Sequence, residues 1–374
     1  MAHQSIEAEF VLRAARPTLD EDEVAAVRDL ASGVEDAERW PHVVDQAYRH
    51  HLLPLLGRNV VRHGLHPRPP GANTAFRYEE LFTAVYQANQ VRNEALLREL
   101  EAVLRELARH GVHPLLRKGL VLTQEVYQDL GSRRSYDIDL MIEPEQVPVL
   151  KEVMPALGYA TGTVSANRRV VEPRSRAEAA YWAMHVPNLS FRRQTSERFA
   201  NGFVIDVLLD QFLPGSGYHL PAGGLTERGR PIRVYGVPTR AFDHEEMLVD
   251  LATHLFKEAT SLHYVQIGKD LTLAKFLDIA GYATTQPVDW DRFGALCARY
   301  GIEEPVHYAL HYTETVYPGS IPGHVLESTR PDDTGFLREI GTVDKDVHRW
   351  QEDFLHRLFD PTRARRAAPS RAPL

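Results

Sequence analysis

Residues 135–142 read Ser-Tyr-Asp-Ile-Asp-Leu-Met-Ile. Apolar residues alternate with Asp137 and Asp139, which predicts a β-strand because successive side chains of a strand point to opposite faces. On such a strand the two carboxylates share one face, with Cα atoms about 6.6 Å apart at a rise of roughly 3.3 Å per residue. That spacing suits the coordination of a divalent cation. The alternative is an edge strand with a solvated face, where aspartate discourages strand pairing.

Two aspartates on one strand are locally unfavourable. Like charges at this spacing repel each other unless a cation or a proton neutralises them, and aspartate is depleted from strands. An unfavourable local choice in an otherwise regular strand is typical of a functional site.

The composition limits the class of protein. A length of 374 residues suggests two or three domains. The net charge of -8 argues against a broad basic face for nucleic acid. The single cysteine, Cys297, excludes an intrachain disulfide and favours a reducing compartment. Without a signal-peptide pattern or a long apolar run, we expect a cytoplasmic protein that does not contact membranes.

The pattern of apolar residues divides the chain into regions. Three- and four-residue spacing predicts helices in two groups. The N-terminal helices are predicted over Glu21–Ala31, Val43–His63 and Arg77–His110. The C-terminal helices are predicted over Glu245–Glu258, Lys269–Gly281 and Arg292–Tyr300. We therefore expect an N-terminal helical domain (1–111), a core (112–240), a C-terminal helical domain (241–360) and a disordered tail (361–374).

A possible phosphate-binding turn precedes the two aspartates. The apolar run Val112–Leu116 leads into Lys118-Gly119 and then into a predicted helix over Leu120–Asp129. In a strand, glycine turn and helix, backbone N–H groups and the helix N-terminus can hold a phosphate, with the lysine as a nearby charge. The alternative is a solvated lysine before a helix-opening glycine.

A third carboxylate interrupts another apolar strand, Phe203–Leu209, at Asp206. Buried aspartates are rare unless they are paired or bound to a cation. Three carboxylates from two strands are typical of two-metal phosphoryl or nucleotidyl transfer sites, in which the metals neutralise the triphosphate. The alternative is an aspartate that caps a turn at the strand end.

These stretches together resemble the uncharacterised nucleotidyltransferase family of the polymerase-beta-like superfamily. The resemblance extends from Val43 to Val316. It is carried by His51-Leu52-Leu53-Pro54-Leu55-Leu56, Leu116-Arg117-Lys118-Gly119, Tyr127, Arg134-Ser135-Tyr136-Asp137-Ile138-Asp139-Leu140, Leu157 to Tyr159, Ile205-Asp206-Val207-Leu208, His254, Asp270 and Asp289-Trp290.

The resemblance implies roles for individual residues. Asp137, Asp139 and Asp206 would be catalytic and would bind Mg²⁺ or Mn²⁺. The predicted nucleotide-binding residues are Lys118, Gly119, Arg134, Ser135, His254, Lys257, Asp270 and Lys275. For the four on the C-terminal helices, the alternative is an ordinary surface or core position.

The chain also departs from the family pattern at two positions. Lys118-Gly119 stands where better-known members have a Gly-Ser turn that holds the nucleotide's phosphates. Leu208 stands where a histidine often follows the third carboxylate, so the role of that imidazole is either dispensable or supplied by His185 or His254.

We therefore expect an α+β fold, with a small mixed β-sheet as the nucleotidyltransferase core between helical domains. The expected activity moves an NMP from an NTP such as ATP to a hydroxyl, phosphate or amine of a small molecule or peptide, with release of pyrophosphate. A tRNA acceptor is disfavoured by the acidic charge. The alternatives are an Asp-x-Asp glycosyltransferase that uses a nucleotide sugar, and an inactive nucleotidyltransferase-like binding or regulatory protein.

Overall fold

The computed structural model describes residues 5–34, 38–66, 76–164, 171–173, 175–177, 180, 188–224, 229–341 and 346–365. The fold is α+β, as predicted, with helices before and after a six-stranded mixed sheet. Buried apolar residues from the N-terminal helices, the sheet and the C-terminal helices form one continuous cluster. The division into separate domains stays a prediction.

Helices form the N-terminal part of the fold. They are α1 (Ile6–Ala14), α2 (Glu21–Ser32), α3 (Arg39–Arg49), α4 (Leu53–His63) and α5 (Glu79–Arg109). The prediction of one continuous helix over Val43–His63 is wrong, because α3 and α4 are two separate helices. His51 between them has a φ of +61°, and a residue in the left-handed region cannot continue a right-handed helix.

The strands of the main sheet lie between residues 115 and 241, and two short strands follow near the C-terminal end. In chain order the strands are β1 (Leu115–Leu116), β2 (Ile138–Met141), β3 (Thr163–Val164), β4 (Val171–Glu172), β5 (Asn188–Arg193), β6 (Phe203–Leu208), β7 (Arg230–Val234), β8 (Val237–Ala241), β9 (Glu339–Ile340) and β10 (His348–Arg349). The main sheet has the order β5-β6-β2-β1-β8-β7. Two of its pairs are parallel, β2 with β6 and β1 with β8, and the others are antiparallel.

The remaining helices lie between the strands and after them, and most of those after β8 pack against one another. They are α6 (Lys118–Leu122), α7 (Val147–Ala156), α8 (His244–Thr260), α9 (Leu262–Gln266), α10 (Leu273–Thr285), α11 (Trp290–Tyr300), α12 (Glu303–Val316), α13 (Gly323–Ser328) and α14 (Phe354–Phe359). Asp289 caps α11, since its Oδ1 accepts hydrogen bonds from the N–H groups of Asp291 and Arg292. In the described ranges, no helix is both long enough and apolar enough to span a bilayer.

The C-terminal segment packs against the fold as far as residue 365. The Nη2 atom of Arg363 lies 2.8 Å from Oδ1 of Asp270, and both side chains are buried. Residues 361–365 of the predicted tail therefore belong to the folded structure, and residues 366–374 lie outside the described part. The pair also explains why α10 begins at Leu273 and not at the predicted Lys269, because Asp270 is held in the preceding loop.

Candidate active site

Three carboxylates converge on two adjacent parallel strands. Asp137 is the last residue before β2, Asp139 lies within β2, and Asp206 lies opposite Asp139 on β6. Directly paired residues of neighbouring strands point to the same face of a sheet. One oxygen from each carboxylate lies within 4.8 Å of the other two. The structure thus brings together the three residues that the sequence predicts as metal ligands.

The charges of this triad, Asp137, Asp139 and Asp206, are only partly balanced. Burial, followed by the neighbouring Asp139 carboxylate, raises the pKa of Asp137 to about 7. The same two causes raise the pKa of Asp206. The ammonium of Lys118 lies 3.3 Å from Oδ2 of Asp139. One lysine cannot neutralise three carboxylates, so the triad favours a further cation.

The triad has the donor set that suits a divalent metal. Mg²⁺ and Mn²⁺ prefer oxygen ligands, and carboxylates supply both oxygen and charge. Oδ1 of Asp206 is buried and accepts no well-formed hydrogen bond from the described residues, although the Ser190 hydroxyl opposite it on β5 interacts with this carboxylate and acts to lower its pKa. One neutral hydroxyl does not fully satisfy a buried carboxylate, and coordination to a metal would do so. The residues therefore fit a divalent metal ion such as Mg²⁺ or Mn²⁺.

The turn at Lys118-Gly119 has a backbone conformation that depends on glycine. Gly119 has a φ of +40° and a ψ of -110° at the start of α6, a region that other residues avoid. A Cβ atom built there would lie 3.9 Å from its nearest neighbour, the Asp137 carbonyl oxygen. The glycine is therefore required for the backbone angle, and space for a methyl group is available.

Replacing this glycine tests the strain directly. We expect Gly119→Ala to lower the free energy of unfolding by about 1–2 kcal/mol, because alanine must adopt an unfavourable backbone conformation. Urea denaturation measures the loss. Gly294→Ala within α11 is the matched control, since its Cβ would meet no atom within 4 Å, and it should slightly stabilise the protein. Equal stability of the two variants would contradict this interpretation.

A buried ion pair that the sequence analysis missed fixes the same turn. The Nε atom of Arg117 donates to Oδ1 of Asp250 on α8 over 3.0 Å, and both side chains are buried. The N–H of Arg117 donates to the carbonyl of Asp139 over 3.0 Å. A signal was available, since Asp250 interrupts the apolar run Met247–Leu251 just as Asp206 interrupts its strand.

A second missed network holds the segment before β2. Arg133 donates to both oxygens of Asp278 on α10, over 2.9 and 2.7 Å. The hydroxyl of Tyr127 donates to Oδ1 of the same carboxylate over 2.8 Å. Arg133 also donates to the carbonyl of Gly119 over 3.3 Å. The network thereby joins the Lys118-Gly119 turn to α10.

The N-terminal helices position the loop that leads to the triad. On α5, the side-chain amide of Asn89 donates to the Gly131 carbonyl over 2.7 Å, and that of Asn93 donates to the Arg133 carbonyl over 2.8 Å. On α4, Arg58 lies 2.7 Å from Oδ2 of Asp129. These contacts hold the loop in place ahead of β2, which begins at Ile138 within the predicted octet.

Two predicted nucleotide-binding residues of the C-terminal helices, His254 and Lys275, are connected to Lys118. Nε2 of His254 lies 3.5 Å from Nζ of Lys118 and 3.6 Å from Oε2 of Glu258. Lys275 forms an ion pair with the same glutamate. The pKa of His254 is held well below its usual range, mainly by burial and secondly by the charge of Lys118. This imidazole is therefore a neutral hydrogen-bonding group beside the turn, and the charge of Lys275 is balanced by Glu258.

Of the lysines Lys118, Lys257 and Lys275, Lys257 is the one without a carboxylate partner among the described residues. Burial and the nearby Arg117 guanidinium lower its pKa to about 8. A half-buried ammonium beside other cations is stabilised by an anion, and a phosphate group would supply one.

The other predicted nucleotide contacts have different surroundings. The Arg134 guanidinium lies over the ring of Tyr136 at 4.3 Å, close to the triad. Ser135 is buried, with its hydroxyl oxygen 3.5 Å from Arg133. Asp270 is occupied by Arg363. The structure therefore gives Ser135 and Asp270 protein partners, and His185 lies outside the described residues.

Comparison with known proteins agrees with this geometry. No curated protein matches the chain. A family model described as an uncharacterised nucleotidyltransferase matches residues 36–318, which include the triad, the turn and the cations of α8 and α10. The chain belongs to this uncharacterised nucleotidyltransferase family.

Proposed function

We propose that the protein is a metal-dependent nucleotidyltransferase that moves an NMP from an NTP, such as ATP, to an acceptor. The acceptor would be a hydroxyl, phosphate or amine of a small molecule or peptide. The observation that carries this proposal is the convergence of three carboxylates beside a glycine turn and a group of cations. This combination binds metal and triphosphate at adjacent points, as phosphoryl transfer requires.

The cations would hold the triphosphate in place. Lys118 lies at the start of the glycine turn, where its ammonium can contact one phosphate group. Lys257 and Lys275 extend the positive surface along α8 and α10. Glu258 offsets part of this charge through Lys275, so the group does not repel itself in the free protein.

The acceptor would meet the α-phosphorus on the Asp206 side of the triad. Its nucleophilic oxygen or nitrogen forms the new bond to phosphorus, and the bond from phosphorus to the bridging oxygen breaks. Pyrophosphate leaves with that electron pair, and a carboxylate oxygen of Asp206 takes the proton of the nucleophile. Mg²⁺ or Mn²⁺, when bound by the triad, supplies the positive charge that stabilises the transferring group. A cytoplasmic setting, as predicted, would supply both the metal and the NTP.

The test is a transfer assay with purified protein and each of the four α-labelled NTPs. Small-molecule and peptide fractions serve as acceptor sources, with Mg²⁺, Mn²⁺ or EDTA. We expect metal-dependent transfer of label and an equal amount of pyrophosphate. Thermal shifts with NTPs and nucleotide sugars form the second arm. Stabilisation by a nucleotide sugar alone would indicate a glycosyltransferase, and no metal-dependent response at all would indicate an inactive binding protein.

A further inference from the structure

A cavity of about 290 Å³ adjoins the candidate active site at Tyr136, the residue before Asp137. Its walls come from the α3–α4 junction, from the loop between α9 and α10, and from the C-terminal segment. The lining residues used below are Tyr48, His51, Tyr136, Ile267 and Lys269. The volume is near the lower end of the range for small-molecule sites.

Exposed aromatic and apolar side chains are concentrated around this cavity. In the described part of the chain, seven large hydrophobic residues are exposed, and three of them line it. Their exposed fractions are 58% for Tyr48, 47% for Tyr136 and 50% for Ile267. Scattered exposure of this kind needs no explanation, but clustering around one cavity indicates a binding surface.

Tyr136 is held as a stacking platform. The Arg134 guanidinium lies 4.3 Å from its ring centroid, and the ring of His51 lies 5.6 Å away. Nearly half of the surface of Tyr136 nevertheless stays open. Aromatic rings supported by arginine stack on nucleobases of any sequence, because every base has a π-face.

The cavity is connected to the phosphate-binding side of the site. Lys269 lines the cavity, and the ammonium of Lys275 donates to the carbonyl of Lys269 and, over 2.9 Å, to the carbonyl of Asp270. From Lys275 the contacts continue through Glu258 and His254 to Lys118, which follows β1.

The acceptor side lies elsewhere. Asp206 is on β6, and the sheet order puts β6 and β1 on opposite sides of β2. Asp206 does not line the cavity, and no aspartate or glutamate is found among its described lining residues. The cavity therefore belongs to the nucleotide half of the site and not to the acceptor half.

We propose that this cavity binds the nucleoside end of the NTP, with the base stacked on Tyr136 and with Tyr48 covering its outer side. The assignment rests on the proposed function, because it needs a triphosphate held at Lys118. It adds that the protein recognises a nucleotide through an aromatic base and does not bind a polyphosphate chain alone with full affinity.

The experiment compares two probes by isothermal titration with full-length protein and Mg²⁺. One probe is an α,β-methylene NTP, tested with each of the four bases, and the other is inorganic tripolyphosphate. We expect Tyr136→Ala to weaken binding of the NTP analogue about tenfold and to leave tripolyphosphate binding unchanged. Tyr136→Phe, which keeps the ring, should bind as the wild type does. Tyr48→Ala, further from the triad, should weaken NTP binding about threefold.

The outcomes distinguish failure of the cavity assignment from failure of the proposed function. If the wild type binds the NTP analogues and Tyr136→Ala binds them equally well, the cavity assignment is wrong and the proposed function stands. Loss of turnover in Tyr136→Ala without loss of NTP affinity would assign the cavity to the acceptor and overturn the nucleoside assignment. Equal weakening of both probes would mean that Tyr136 supports the triad only. If the wild type binds neither probe, both proposals fail. Val347→Ala, an exposed apolar residue outside the cavity, controls for general effects.

Discussion

Replacing Asp139 with asparagine is expected to lower nucleotidyl transfer at least about a thousandfold while the protein stays folded. Asp139 is the central member of the triad, because it lies opposite Asp206 in the strand register and 3.3 Å from Lys118. Asparagine keeps the shape of the side chain but removes the charge that attracts the metal. Activity falls because charge stabilisation in a buried site is worth several kcal/mol.

The same substitution should leave the free energy of unfolding unchanged or slightly raised in the absence of metal. It relieves the repulsion from Asp139 that helps to raise the pKa of Asp137, and the Lys118 ammonium that loses Asp139 still faces the Asp137 carboxylate. Stabilisation of the protein by Mg²⁺ should disappear together with activity. Thermal unfolding with and without Mg²⁺, beside the transfer assay, measures both effects.

Asp332→Asn is the matched control, since it makes the same chemical change at an exposed aspartate. It should keep full activity and the full Mg²⁺ response. If Asp139→Asn kept more than a tenth of the wild-type activity, the triad could not be the metal site of the reaction.

Replacing Asp250 with alanine is expected to lower the free energy of unfolding by about 3–5 kcal/mol. The change leaves the guanidinium of Arg117 buried without its carboxylate partner. An uncompensated buried charge is costly because the protein interior screens it poorly and offers no water. Urea denaturation followed by circular dichroism gives the difference.

Two further variants test the mechanism of this loss. Glu101→Ala breaks an exposed pair with Arg105 and should change stability by no more than about 0.5 kcal/mol. The double variant Arg117→Met with Asp250→Leu removes both charges and should regain most of the stability. A double variant as unstable as Asp250→Ala would show that the loss comes from packing and not from the unpaired charge.

The sequence predicts the triad well because its signals are local. Asp137 and Asp139 stand two residues apart in an alternating strand, and Asp206 interrupts a short apolar run. Each pattern is visible within eight residues and needs no knowledge of the partner strand. The parallel register that joins Asp139 to Asp206 comes only from the structure.

The supporting contacts could not be predicted because their partners are far apart in the chain. Arg117 and Asp250 are separated by 133 residues, and Arg133 and Asp278 by 145. A single arginine in a sequence does not reveal which carboxylate it meets. The break at His51 is similarly hidden, because the apolar spacing continues through it and only the backbone angle interrupts the helix.

The parallel pairing of β2 with β6 has a consequence for how the site is assembled. Parallel neighbours cannot be joined by a tight hairpin, and the connection here includes α7 and the strands β3 to β5. Closing such a long crossover is slow compared with forming local helices. A growing chain that has not yet synthesised β6 carries Asp137 and Asp139 but lacks the third ligand. In the proposed site, tight binding of a cation would therefore need β6 in place and could not nucleate folding.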